Sequence, residues 1–278
     1  PEIGSSTKKA LYSTENNAEE DWDFNSTEFE VSANGYAPDV GQCSPGEYLV
    51  VYQDNDEIYG QRVTEDGDLL GDAFWISGSA PYKDYVPKIA CDPVKNVFLI
   101  VWEFDWGSDI DIYARAVHGS YQTSGSQLLS EDFPIASSND WESQPSIACN
   151  SDDHTCLVVY QSNGDIYASR VDIGSMPPSA STPFKLFENS NPEFDPEIAW
   201  GSNEDEFVVV WGWRKIISPT ENQDRIAYTT IWDTQQAGSQ FKGGVYDLMG
   251  TTLNTAHYYP SIAYNPQSHT YLVVFDHY

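Results

Sequence analysis

"YLVVYQDNDEIYGQRV", Tyr48–Val63, decides the fold. An apolar run ending in an aromatic meets a polar turn, and a second β-branched and aromatic run follows. That is the pattern of a β-hairpin. The phrase returns as "FLIVWEFDWGSDIDIYARAV" from Phe98 and as "CLVVYQSNGDIYASRV" from Cys156. Its first half returns once more as "YLVVFDHY" from Tyr271.

Working outward, a strand that begins with proline recurs five times, at Pro38, Pro87, Pro145, Pro196 and Pro260, and four of these stand before the quoted copies. The first four units each end in a fourth short strand, "FWIS" at Phe74, "FPIAS" at Phe133 and "FKLF" at Phe184, with the fourth equivalent expected in "GVYDLMG". Four-stranded units recurring every 49 to 64 residues predict the blades of a β-propeller. The continuous apolar "LVV" runs fit strands covered on both faces.

The last copy lacks its third and fourth strands, and two matching phrases stand near the start: "KALYST" (Lys9–Thr14) and "FEVSANG" (Phe29–Gly35). The expectation is therefore an all-β, five-bladed propeller in one domain. Its blades run at about 36–77, 85–137, 143–188, 194–254, and 258–278 completed by 8–34. A fragment of a six- or seven-bladed ring is the alternative.

The units "YLVVY…DEIYGQRV…DGDLLG…FWIS" and "PSIAYNPQSHTYLVV" resemble the tandem repeats of a group of secreted bacterial proteins with "YLVVW…DIYGQR…G" motifs. The resemblance covers nearly the whole chain and implies β-propeller blades in exported or surface proteins. It implies no activity. The fourth unit departs from it, with Arg225 and Ala227 in its third strand and the long turn "GWRKIISPTENQD" (212–224).

The chain carries 43 acidic and 13 basic residues, a formal charge of −30. Such a field repels phosphate backbones and excludes nucleic acid as a partner. No apolar run is long enough to span a bilayer. The opening decapeptide has no apolar signal core, so an export signal is expected to have been removed already. Four cysteines without C-x-x-C spacing favour disulfides in an oxidising compartment. The expected pairs are Cys149–Cys156 across one hairpin and Cys43–Cys91 between neighbouring inner strands. Together these place the protein outside the cell or on its surface.

Candidate functional residues gather where the inner strands begin. Trp106, Trp141 and Trp213, with Tyr85 and Tyr258, lie in turns and connectors outside the repeat consensus. Aromatic rings beside carboxylates suit sugar stacking and hydroxyl bonding, although the same rings can serve to pack blades. Asn55 with Glu57, Asp109 with Asp111, and Asn163 with Asp165 offer alternating oxygens that could hold Ca²⁺. They can equally order their own turns.

Asp39 and Glu197 share one inner-strand position, occupied by Lys88, Ser146 and Ser261 in the other units. As a carboxyl pair they could act as acid and base on a glycoside. The main expectation is a non-catalytic extracellular binding or assembly module that uses an aromatic, acidic face. Its partners would be other extracellular or surface proteins, or glycans, and it could be built into a larger assembly. A carbohydrate-active hydrolase is the first alternative and a sugar-binding lectin the second.

Overall fold

A computed structural model describes residues 9–10, 29–78, 82–187, 190–218, 221–232, 244–248 and 257–277. The sequon at Asn25, most of the acidic run 14–30 and the rest of "KALYST" lie outside them. The described chain is all-β. Among the described residues no helix is long and apolar enough to cross a membrane.

Near the start, β1 (Lys9–Ala10) pairs antiparallel with β2 (Phe29–Glu30). The first four-stranded sheet is β3 (Tyr36–Gln42), β4 (Glu47–Asp54), β5 (Glu57–Thr64) and β6 (Leu69–Trp75), paired in that order. The second is β7 (Lys83–Asp92), β8 (Val97–Asp105), β9 (Ile110–His118) and β10 (Phe133–Ala136). The third is β11 (Glu142–Asn150), β12 (Thr155–Ser162) and β13 (Asp165–Asp172). Its outer edge is split between β14 (Ser179–Ala180) and β15 (Phe184–Lys185), which both pair with β13. The fourth is β16 (Glu193–Gly201), β17 (Glu206–Ser218), β18 (Glu221–Trp232) and β19 (Tyr246–Asp247). Last, β20 (His257–Asn265) pairs with β21 (Thr270–His277).

Local chemistry sets these boundaries. The turns after β4 and β12 carry two successive left-handed residues, Asn55–Asp56 and Asn163–Gly164. Such pairs match the twist of tight hairpins and select Asn, Asp and Gly. The supposed long turn 212–224 is instead hairpin: β17 and β18 stay in register from Trp213↔Arg225 to Ile216↔Asn222.

The inner strands β3, β7, β11, β16 and β20 stand side by side in that order. Each contains a register shift at the same place. The residue before its proline has positive φ: Ala37, Val86, Gln144, Asp195 and Tyr259. These repeated bulges bend every inner strand alike, and the blades of a β-propeller result.

The core lies between sheets. Leu49, Val51 and Ile58 meet Ile89, Phe98 and Trp102; Leu99, Val101 and Ile112 meet Ile147, Val158 and Tyr160; Leu157 and Ile166 meet Phe207 and Trp211. Because β8 is covered from both sides, its residues Val97–Phe104 are all buried, as a near-continuous apolar run requires. The two outermost inner sheets differ. β3 alternates between half-buried and exposed, with Val40 57 % exposed, and Leu272 and Val274 of β21 are 67 % and 54 % exposed. Among the described residues β21 pairs only with β20.

Both expected disulfides are present. Cys149 and Cys156 face each other in the β11–β12 ladder, and Cys43–Cys91 joins the first sheet to the second at a Cα separation of 5.4 Å.

Candidate functional site

Two tiers of side chains run along the inner strands at their register shifts. The lower tier sits one residue past each proline and comprises Asp39, Lys88, Ser146, Glu197 and Ser261. The Lys88 Nζ donates to Glu197 Oε1 at 3.0 Å, and the Ser146 Oγ donates to Glu197 Oε2 at 2.8 Å. Asp39 accepts the backbone N–H of Ile89, from the next sheet, at 2.9 Å and that of Val40 at 3.0 Å. Three sheets thus converge on Glu197, and a fourth is tied in through Asp39.

The upper tier comprises the five bulge residues. The Gln144 N–H donates to Glu103 Oε1 at 2.7 Å. The Asp195 N–H donates to Gln144 Oε1 at 3.2 Å, and Gln144 Nε2 donates back to Asp195 Oδ1. The Tyr259 N–H in turn donates to the Asp195 carboxylate. The Gln144–Asp195 and Tyr259–Asp195 links cross from one inner strand to the next, and the Glu103 link ties β11 to β8 of the neighbouring sheet, so the register bulge also preorganises these groups.

Burial pushes the Asp39 carboxyl above the ordinary aspartate value, against the opposing pull of the Ile89 N–H and Lys88, and nearby Glu197 adds to the rise. Burial likewise raises Asp195, with Glu197 again adding to it. A partly desolvated carboxyl whose pKa is raised is suited to acid–base work. The Lys88–Glu197 pair is about a third exposed on each side, so the tier is open to solvent and to a ligand.

The residues expected from sequence fall into different settings. Trp141 is 64 % exposed. Trp106 is 39 % exposed, but it packs edge-on against Tyr82 and Phe104 at 4.5 and 4.7 Å and donates to Asp111 Oδ2 at 2.6 Å. Trp213 is half-buried against the core between the third and fourth sheets. Tyr85 is half-buried beside Lys83. Tyr258 donates to Asp224 Oδ2 at 2.6 Å, and Arg214 holds the same carboxylate at 2.7 Å. Trp106, Trp213 and Tyr258 are engaged in local packing and hydrogen bonding.

The oxygen pairs proposed for Ca²⁺ are likewise spread over separate turns. Asn55 and Asn163 supply left-handed turn backbone. Glu57 accepts from Ser77 Oγ and Trp75 Nε1, the Asp109 carbonyl closes a turn with the Trp106 N–H, and Asp165 pairs with Lys185 at 2.8 Å. Among the described residues no group of three or more His, Cys, Asp or Glu is placed to hold a metal ion.

Sequence reasoning singled out Asp39 and Glu197 but passed over Gln144, Asp195 and Tyr259. Their signal was present: each is the residue before a repeated proline, the apex of a bulge that periodicity alone does not reveal.

No family model and no curated protein matches the chain. Solved structures do. An N-acetylgalactosamine deacetylase from F. plautii, in complex with blood group B trisaccharide, is 13 % identical with a TM-score of 0.51. The match covers 85 % of this chain and 77 % of that one. The Penicillium chrysogenum α-L-arabinanase complexed with arabinobiose is 10 % identical with a TM-score of 0.58, over 85 % of this chain and 72 % of that one.

At these identities the likeness establishes the fold, a β-propeller. It also corrects the main functional expectation. Both solved structures are of enzymes in complex with oligosaccharides, which tells against the expected non-catalytic binding or assembly module. The reason sequence misled is physical. Unrepeated turn aromatics suggested a docking face, yet Trp106 and Trp213 are spent largely on packing.

Proposed function

We propose that this chain is a carbohydrate-active hydrolase working at the mouth ringed by its inner strands. One observation carries the reading: Asp39 and Glu197, equivalent residues of two sheets, lie within electrostatic reach of each other with Lys88 between them. In hydrolysis one carboxyl protonates the departing glycosidic oxygen. The other takes a proton from the water that attacks the anomeric carbon. Lys88 and Ser146 hold Glu197 in place, and the Ile89 and Val40 amides do the same for Asp39. Reducing-end release from a panel of soluble polysaccharides tests it. Loss of all release in both Asp39→Asn and Glu197→Gln supports the assignment, and no release by the native protein rejects it.

The scaffold we propose is one five-bladed domain closed by its front segment. Lys9–Ala10 and Phe29–Glu30 already pair as third and fourth strands should. The Phe29 ring rests against Gly67 of the first sheet, 3.1 Å from where a Cβ would stand. An outer strand of the last blade would face that sheet. The uncovered Val40, Leu272 and Val274 favour this closure, since it would bury them. Two disulfides fit an oxidising, extracellular setting, and a glycan is the partner this reading requires.

A further inference from the structure

The five bulge residues share one backbone state and differ in side chain. Their left-handed φ recurs on every inner strand, so it belongs to the architecture. The side chains break the symmetry. Ala37 and Val86 are apolar and compact, whereas Gln144, Asp195 and Tyr259 follow one another on three consecutive inner strands.

The Gln144 backbone N–H is held by Glu103, and its side-chain amide is fixed by two bonds: Oε1 accepts the Asp195 N–H and Nε2 donates to Asp195 Oδ1. A primary amide has a second proton and a carboxylate has further lone pairs. The arc therefore presents one aimed donor beside aimed acceptors. Tyr259 stands next to them, 66 % exposed. A bulky residue at positive φ is rare, and an exposed ring offsets nothing by itself. Its neighbour Tyr258 is anchored through Asp224 to Arg214, which steadies the backbone that carries the ring.

We infer that Gln144, Asp195 and Tyr259 form the sugar-recognition arc of the mouth, and that the glycan it selects is uncharged. The inference rests on the hydrolase reading and names its substrate class. A sugar ring offers a C–H face that stacks on an aromatic, and its hydroxyls need a donor and an acceptor at fixed positions. Anionic sugars are disfavoured because Asp39, Asp195 and Glu197 outnumber Lys88 at the mouth, in a chain of formal charge −30.

Calorimetric titration of the full chain, in a Glu197→Gln background, tests this with soluble arabinan, galactan and polygalacturonate. Tyr259→Ala should weaken binding of a neutral polymer about tenfold, the size of a lost stacking contact. Tyr259→Phe should stay within about twofold, because the ring remains. Val94→Ala, an exposed change in the turn between β7 and β8, should leave binding unaltered. Polygalacturonate should not bind. Unchanged affinity in Tyr259→Ala, polygalacturonate bound as tightly as the neutral polymers, or no binding of any of the three would overturn the inference. Two outcomes separate it from the hydrolase reading. Neutral polymers bound through Tyr259 but never cleaved would leave the arc standing and remove the hydrolase. Cleavage with KM untouched by Tyr259→Ala would do the reverse.

Discussion

Replacing Asp84 with Asn should make the protein more stable in neutral and alkaline solution, and the size of the gain follows from one buried carboxyl. Asp84 is fully buried where the first two sheets meet. Its Oδ1 accepts the Trp102 Nε1–H at 2.8 Å, while Oδ2 has no partner among the described residues. Burial, with Glu57 adding to it, pushes this carboxyl from 3.8 up to about 7. The folded protein then holds a proton that the unfolded chain releases near pH 4. Stability is therefore fully present below the unfolded value and is lost as pH rises through the folded one. At about 1.36 kcal/mol per pH unit, the loss across the whole window is about 4 kcal/mol. Asn supplies a neutral group of the same shape and has no proton to lose. Urea unfolding followed by Trp fluorescence, at pH 5 and pH 8, measures both proteins. The advantage of Asp84→Asn over the native chain should widen by about 3 kcal/mol between those pH values. Parallel curves would refute the reasoning.

Three further outcomes follow from packing and connectivity. Cys43→Ser with Cys91→Ser opens a 48-residue separation and Cys149→Ser with Cys156→Ser a 7-residue one. By loop entropy the first should cost about 4 kcal/mol and the second about 2, read as urea midpoints; equal losses would contradict that account. Trp102→Ala and Trp211→Ala, both fully buried, should each cost about 3–5 kcal/mol. Trp141→Ala should change stability by no more than about 0.5 kcal/mol, and thermal melts that fail to separate the two classes would reject the burial pattern. Deleting residues 1–34 should leave the β20–β21 sheet open-edged and the protein aggregation-prone; a monodisperse, cooperatively melting truncation would rule out closure by that segment.

The fold was legible because blades are written as repeats. Leu49, Val51, Leu99, Val101, Leu157 and Val159 recur at fixed places and are all buried, so periodicity reported directly on the core. The disulfides were legible for the same reason, since Cys149 and Cys156 flank a hairpin whose register the pattern defines. The site was only half legible. Asp39 and Glu197 occupy a repeated position and could be found by alignment of the units, but the Lys88 that links them comes from another sheet, 109 residues before Glu197. The bulges at Gln144, Asp195 and Tyr259 are backbone events, invisible to a count of apolar residues. The extended β17–β18 hairpin was misread as a loop because Pro219 and the polar residues around it look like turn material. Across its strands Arg214 meets Asp224, a pairing that only the fold aligns.

The most direct test of the central claim is a crystal structure of the Glu197→Gln protein soaked with an oligosaccharide that the native protein cleaves. The account predicts a glycosidic oxygen at the mouth, within about 3 Å of the Asp39 carboxyl or the Gln side chain at position 197, with a sugar ring stacked on Tyr259. An oligosaccharide seated instead on the outer turns around Trp106 or Trp141, with no sugar between Asp39 and position 197, would contradict it.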